Sequence, residues 1–450
     1  MTEALASSTP FKVRQRRLVL SAFFGTTIEF YDFTVYGTLA ALVFAELFFP
    51  GSDPVVGVLS AFATLAVGFL ARPLGSIVFG WFGDRIGRQK TLMVAMMLMG
   101  AGTVAIGLLP TYAAIGVFAP ILLTLLRFIQ GIAIGGEWAG AALMLVESAK
   151  PRRRNFIGSF VQTGGPAGLI LATAAVSASV AISGDQFLSW GWRLPFLGSF
   201  VLVIVALYIR HKVEENPVVA AILAKPENLS KVPVGEVVRR HWRTILLGGG
   251  IAAVGNAVVY LVITYTLSFG TTTLGYQRQD LLNTLLLASF LYVVGIPFFG
   301  WVTDKVGPLR VLLFGTITAA GFVFVYFAAL RTGSTLIVFL AMAFWLALTH
   351  ASLQAPLPAL FASKFPVRVR YTGAALTYAL PTTVVGGTLP FVATLLFIWA
   401  GTDAIAWYII GLAVIATFCT IVLTRMRVET EDTHEIATVD VQGSVRNVQA

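Results

Sequence analysis

Twelve apolar runs, each about as long as a bilayer core is thick, decide what this 450-residue chain can fold into. They cover 18–43, 55–81, 91–109, 114–147, 156–182, 192–211, 244–269, 280–302, 311–330, 334–361, 371–398 and 404–424. A helix crosses a ~30 Å hydrocarbon core in about 20 residues, and irregular backbone cannot face lipid. The fold class expected is therefore an all-α membrane protein with twelve transmembrane helices. Composition agrees: 57% of residues are hydrophobic and 12% charged, against about 45–50% apolar in soluble domains. A net charge of +10 does not imply nucleic acid, because Lys and Arg fall in short clusters between the runs and form no single basic face. The one cysteine, Cys419, lies inside an apolar run and reads as a packing residue; it excludes an intramolecular disulfide and a cysteine-based metal site. Lys12, Arg14, Arg16 and Arg17 precede a first run that contains acidic residues, so that run is expected to span and not to be cleaved.

Positive charge orients the runs, since Lys and Arg of short loops are retained on the cytoplasmic side. Alternate connections carry Arg85, Arg88 and Lys90; Lys150 and Arg152 to Arg154; Lys212 to Arg243; Lys305 and Arg310; Lys364, Arg368 and Arg370; and Arg425 with Arg427. The opposite connections hold only Arg278 and Arg331. Both termini are thus expected in the cytoplasm. Trp190 and Trp192 stand at an expected outer boundary and read as interfacial anchors.

A repeat divides the chain. Gly80, Trp81, Asp84, Arg85 and Gly87 recur as Gly300, Trp301, Asp304, Lys305 and Gly307. Such duplication implies two six-helix halves with a cleft between them. The domains expected are an N-terminal tail (1–17), a first bundle (18–211), a linker (212–243), a second bundle (244–424) and a tail (425–450). The linker carries a short amphipathic stretch around Val234 to Trp242, and the tail after Arg427 is polar.

Charges inside the runs cost at least ~2.5–3.5 kcal/mol on insertion scales, so each should face a partner or a cavity. Glu29, Asp32 and Tyr36 share one helix face. The two carboxylates, with Glu137, are candidate proton carriers, the alternative being permanent pairing with arginine. Arg127 is expected to pair with Asp32 or to hold a ligand, and begins a spacing with Gly131 and Gly135 that suits close helix packing. Arg72 is able either to hold a carboxylate bidentately or to pair with another helix, Glu137 being one partner. Arg193 reads as an interfacial arginine with a second reading as a ligand contact, and His350 as a buried hydrogen-bonding residue or a relay. Gln162, Asn256, Tyr260, Tyr265, Gln354 and Tyr378 are candidate cavity linings. No nucleophile-plus-base or metal-ligand spacing is apparent, so an enzyme or solute sensor is the weaker alternative, and no cofactor beyond the coupling proton is expected. The partners expected are a small solute and the lipid bilayer, not nucleic acid; a monomer is a sufficient unit.

These residues resemble the metabolite:proton symporter family of the major facilitator superfamily, from about Arg16 to Arg427. The resemblance rests on Glu29-Phe30-Tyr31-Asp32-Phe33 with Tyr36-Gly37, on Gly80-Trp81-Phe82-Gly83-Asp84-Arg85-Ile86-Gly87-Arg88, and on Arg127-Phe128-Ile129-Gln130-Gly131 through Gly135-Gly136-Glu137-Trp138. Ser189 to Phe196 and Arg370-Tyr371-Thr372-Gly373 match as well, and shikimate-type transporters are the most similar branch. The resemblance implies the major facilitator fold in a bacterial inner membrane. It also implies uptake of a small organic solute with protons, relatives carrying shikimate, ketoglutarate, citrate, proline or betaine. Asp84, Arg85, Arg88, Glu147, Arg154, Asp304 and Lys305 are implied to latch a cytoplasmic gate. Pro308 stands where an arginine is usual and Ser363-Lys364 where an acidic residue is common, departures expected to weaken the second half's share of that latch.

Overall fold

The computed structural model describes residues 11–51, 54–212 and 233–426. Residues 1–10, 213–232 and 427–450, which hold most of the expected tails and linker, lie outside the described residues. The first half comprises α1 (Phe11–Leu39, continued through Ala40–Phe44 to Phe48), α2 (Pro54–Ile86), α3 (Arg88–Leu108), α4 (Phe118–Ser148), α5 (Arg154–Ser183) and α6 (Arg193–His211). The second begins, after a short helix Pro233–Arg240, with α7 (Trp242–Tyr260, continued to Thr272), α8 (Arg278–Val306) and α9 (Pro308–Leu330). It ends with α10 (Thr335–Phe344, continued to Ala362), α11 (Arg370–Pro381 and onward) and α12 (402–425).

Among the described residues eleven stretches are long and apolar enough to cross a membrane, and the last, Val367–Arg425, holds two crossings. They are separated where Ala400 leaves helical geometry and Gly401 takes φ +70°, a value that suits glycine. The twelve expected spans are therefore present, and the chain is a multi-pass helical membrane protein. The short helix Pro233–Arg240 coincides with the amphipathic stretch of the linker; its Val237 is buried against Ile245, Phe365, Val369 and Leu376.

Within the first half α1 packs on α5 and α2 on α4, whereas α5 meets α8 and α2 meets α11 across the halves. The repeated motif forms the α2–α3 and α8–α9 turns, where Gly87 (φ 98°, ψ 151°) and Gly307 (φ 87°, ψ 156°) share one backbone conformation. Both turns lie at what is termed here the basic end. Helices α1, α7, α10 and α11 each contain a π-helical turn, at Ala40–Phe44, Leu261–Tyr265, Trp345–His350 and Thr382–Gly386. Such turns widen a helix locally and often mark functional sites.

One expectation is corrected. Trp190 is exposed, but Trp192 is fully buried and packs edge-on against Phe44, Phe48 and Phe196, so it is a core residue, not an anchor. Its position after the π-helical turn Phe187–Gly191 rotates it inward.

Candidate functional site

A cavity lies between the halves, lined by Glu29, Arg72 and Gln162 from the first and by Asn256, Tyr260, His350, Gln354 and Tyr378 from the second. Toward the basic end it is floored by Trp138, stacked on Tyr378 at 3.8 Å and 4°, and by a 2.7 Å hydrogen bond from Gln162 to Gln354. Toward the opposite end Phe33, Phe69 and Tyr260 meet edge-to-face, and Thr383 donates across the halves to the Phe69 carbonyl at 2.9 Å. The chamber is therefore closed by side chains on both sides.

Three carboxylates follow one another at steps of about one turn, Asp32 and Glu29 on α1 and Glu137 on α4 beside it, each with its own arginine. Nearest the closed roof, Asp32 accepts from Arg127 at 2.6 Å, Thr103 at 2.7 Å and Gln130 at 3.1 Å, and the Arg127 guanidinium lies 3.5 Å from the Tyr36 ring centre. The Tyr36 hydroxyl meets Thr64. At cavity level Glu29 faces Arg72 at 3.5 Å, too long for a well-formed hydrogen bond. Arg72 also lies 4.5 Å from the Phe69 ring centre. One turn toward the basic end, at the level of Gly25, Glu137 pairs with Arg210 at 3.3 Å, and Arg210 is held by Ser21 at 3.0 Å. All three pairs are buried, but only the middle pair lines the cavity. A recess lined by Asp32, Arg127, Phe69 and Arg72 joins the first pair to the second.

At the basic end each half caps a helix of the other. Asp84 accepts from the Tyr371 and Thr372 amides, both at 3.1 Å, and from the Thr372 hydroxyl at 2.7 Å. Asp304 accepts from the Asn155 and Phe156 amides, both at 2.9 Å, and from the Asn155 side chain. These amides belong to the first turns of α11 and α5, which have no intrahelical partners and favour negative charge. Around Asp84 the closure is reinforced by Glu147, which bridges Arg88 and Arg370, the latter at 3.0 Å. No such bridge surrounds Asp304 among the described residues: Pro308 occupies the position equivalent to Arg88, and Arg154, which opens α5 as Arg370 opens α11, is exposed. Lys364 donates to the Met426 carbonyl at 2.7 Å, and its partial burial pushes its ammonium below the usual lysine value. Arg85 and Lys305 lie over the Trp81 and Trp301 rings.

Of the residues named from sequence, Glu29, Arg72, Gln162, Asn256, Tyr260, His350, Gln354 and Tyr378 come together at the cavity. Tyr36, Asp32 and Arg127 sit beside it, and Tyr265 stacks on Phe269 instead. Arg193 is set apart, donating to the Gly107 and Leu109 carbonyls and so capping the end of α3. Arg72 pairs with Glu29, while the suggested alternative partner Glu137 belongs to Arg210. Sequence reasoning missed Arg210, which ends an apolar run and looks like one more loop cation, and Tyr292, which lines the cavity and contacts His350.

Comparison with known proteins agrees with this architecture. Residues 22–380 match the Major Facilitator Superfamily model. The chain is 40% identical to a shikimate transporter of Escherichia coli K12 over 85% of this chain and 88% of that one. It is 39% identical to the inner membrane metabolite transport protein YhjE of the same organism, over 90% and 93%, and 33% identical to a proline/betaine transporter of Salmonella typhimurium, over 89% and 81%. Among solved structures, the proton:xylose symporter XylE superposes with a TM-score of 0.75 at 16% identity, covering 93% of this chain and 96% of that one. The match in sequence along nearly the whole chain and the shared fold lead to one assignment: the chain belongs to the major facilitator superfamily, as a metabolite transporter.

Proposed function

We propose that the protein takes up a small organic carboxylate, shikimate or a related acid, together with protons by alternating access, with both termini in the cytoplasm of a bacterial inner membrane. The observation that carries this reading is the loose Glu29–Arg72 pair at the cavity wall, beside the tightly satisfied Asp32–Arg127 pair. A solute carboxylate competes with Glu29 for the Arg72 guanidinium, which is built for bidentate carboxylate binding. Glu29, once displaced from Arg72, is the group that takes up the coupling proton. Solute binding and proton uptake are thereby coupled at one arginine. Asp32 and Glu137, one turn to either side, are the neighbouring carboxylates in the proton's path, and Arg127 with Tyr36 holds the first of them. Gln162, Asn256, Tyr260, His350, Gln354 and Tyr378 contact the solute, Arg193 has no part in binding it, and the seven basic-end residues named above form the gate. The only coupling ion required is the proton.

One pH unit supplies ~1.36 kcal/mol per proton, and a net positive charge moved inward gains ~2.3 kcal/mol per 100 mV, so a monoanion carried with one proton draws on the pH gradient alone and a neutral solute on both. A zwitterionic osmolyte is the second reading, favoured by the aromatic surfaces of Trp138, Tyr260 and Tyr378, which suit a quaternary ammonium. Uptake of labelled shikimate, dicarboxylates, benzoate, proline and betaine into proteoliposomes, with and without an imposed pH gradient, separates these readings. Glu29→Gln is expected to abolish gradient-driven accumulation while preserving solute exchange. Intact accumulation in this variant would refute the coupling.

A further inference from the structure

Five side chains on four helices pass a single hydrogen-bond direction from the first half to the second. The Trp138 indole N–H on α4 lies 3.1 Å from Gln162 Oε1 on α5. Indole N–H only donates, so it fixes which end of the Gln162 amide faces it. Gln162 Nε2 then donates to Gln354 Oε1 on α10 at 2.7 Å, and Gln354 Nε2 lies 3.1 Å from His350 Nε2. An amide NH2 cannot accept, so within this relay His350 Nε2 is the acceptor and the proton of the neutral ring sits on Nδ1, while the Gly255 backbone, which also hydrogen-bonds the ring, is the contact that would draw the proton to the other nitrogen. Nδ1 is 2.5 Å from the Tyr292 hydroxyl on α8, which therefore accepts and keeps its own hydrogen free. Turning the two amides to reverse the chain would set the Gln162 NH2 group against the indole N–H.

We propose that Tyr292 is a specificity-determining donor, polarised by this relay and aimed at an oxygen acceptor on the solute, a ring hydroxyl or carbonyl. Tyr292 and Arg72 line the same cavity from different halves. A hydroxylated carboxylate satisfies both, with its carboxylate on Arg72 and a hydroxyl on Tyr292. The trimethylammonium end of a betaine offers Tyr292 no acceptor and leaves a buried donor unpaired, an arrangement binding sites reject strongly. This assignment rests on the carboxylate reading proposed above. Trp138, Gln162, Gln354 and His350 are positioning residues in it.

Nitrogen NMR of the protein with 15N-labelled histidine, in nanodiscs, reads the tautomer directly. His350→Asn identifies the signal among the four histidines. The expected state is neutral with hydrogen on Nδ1, and Trp138→Phe, which keeps an aromatic ring on Tyr378, is expected to give a mixture of tautomers. Hydrogen on Nε2 in the unaltered protein overturns the relay. Competition between shikimate and cyclohexene-1-carboxylate for uptake tests the donor: the preference for shikimate should fall about tenfold in Tyr292→Phe. No preference in the unaltered protein, or one that Tyr292→Phe leaves intact, overturns the specificity assignment. Uptake of neither solute sinks the carboxylate reading and the specificity assignment together, while the tautomer is still decided by NMR.

Discussion

Arg210 sits in α6 with its guanidinium shared among Glu137, Ser21 and the Leu92 carbonyl, and both members of the ion pair are buried. Charges taken out of water repay their desolvation only through one another, so breaking such a pair costs more than replacing it. Arg210→Met should destabilise the protein by about 3–5 kcal/mol, read as a lowered thermal midpoint in detergent. Adding Glu137→Gln in the same chain should recover most of the loss, because the orphaned charge goes with it; no recovery would mean that the arginine acts through packing alone. The presence of Glu137 as a buried charge was legible from its depth in an apolar run. Its partner was not, because residue counting along helices gives depth and leaves rotation about the helix axis undetermined. Arg127 and Asp32 were matched correctly because both were placed at one depth and few other charges were available there.

At the scale of elements, α2 and α4 cross closely enough that glycine is required at the contact. A Cβ on Gly135 would lie 2.1 Å from the Arg72 carbonyl, and one on Gly131 2.1 Å from the Gly68 carbonyl. Both obstacles are backbone, which cannot rotate away. The crossing thus sets where the Arg72 side chain emerges into the cavity. Gly135→Ala should spread the two helices, lower the thermal midpoint and impair uptake, whereas Gly37→Ala, with nothing within 4 Å, should be neutral or stabilise by up to about 1 kcal/mol through helix propensity. Equal effects of the two substitutions would show that the crossing does not depend on glycine. The small-residue spacing from Arg127 to Gly135 was readable, as were all twelve spans, since bilayer thickness fixes helix length. The π-helical turns were not, because they arise from tertiary packing; one of them carried Trp192 from its expected interfacial place into the core.

For the whole molecule, closure at the basic end is built twice and unequally. Asp84 and Asp304 cap helices of the opposite half in related geometries, yet among the described residues only the Asp84 side has such a bridge, that of Arg88, Glu147 and Arg370. The departures at Pro308 and at Ser363-Lys364 match the difference, since one removes the cation equivalent to Arg88 and the other leaves no anion equivalent to Glu147. Opening toward the basic end must break both caps, so the bridged cap sets more of the barrier and of the population. Glu147→Gln leaves Arg88 and Arg370 facing one another without their shared anion, and should raise the fraction open at that end by about tenfold. Alkylation of a cysteine at Ala379, a residue lining the recess beside Glu29 and Arg72, measures this in a Cys419→Ala background with an impermeant thiol reagent applied from the basic side. Asp84→Asn should increase labelling more than Asp304→Asn does, because Asp84 carries the reinforced cap. Equal increases would mean that the two halves share the closing energy evenly despite the missing bridge, and the barrier would then have to lie in the Trp138–Tyr378 floor common to both.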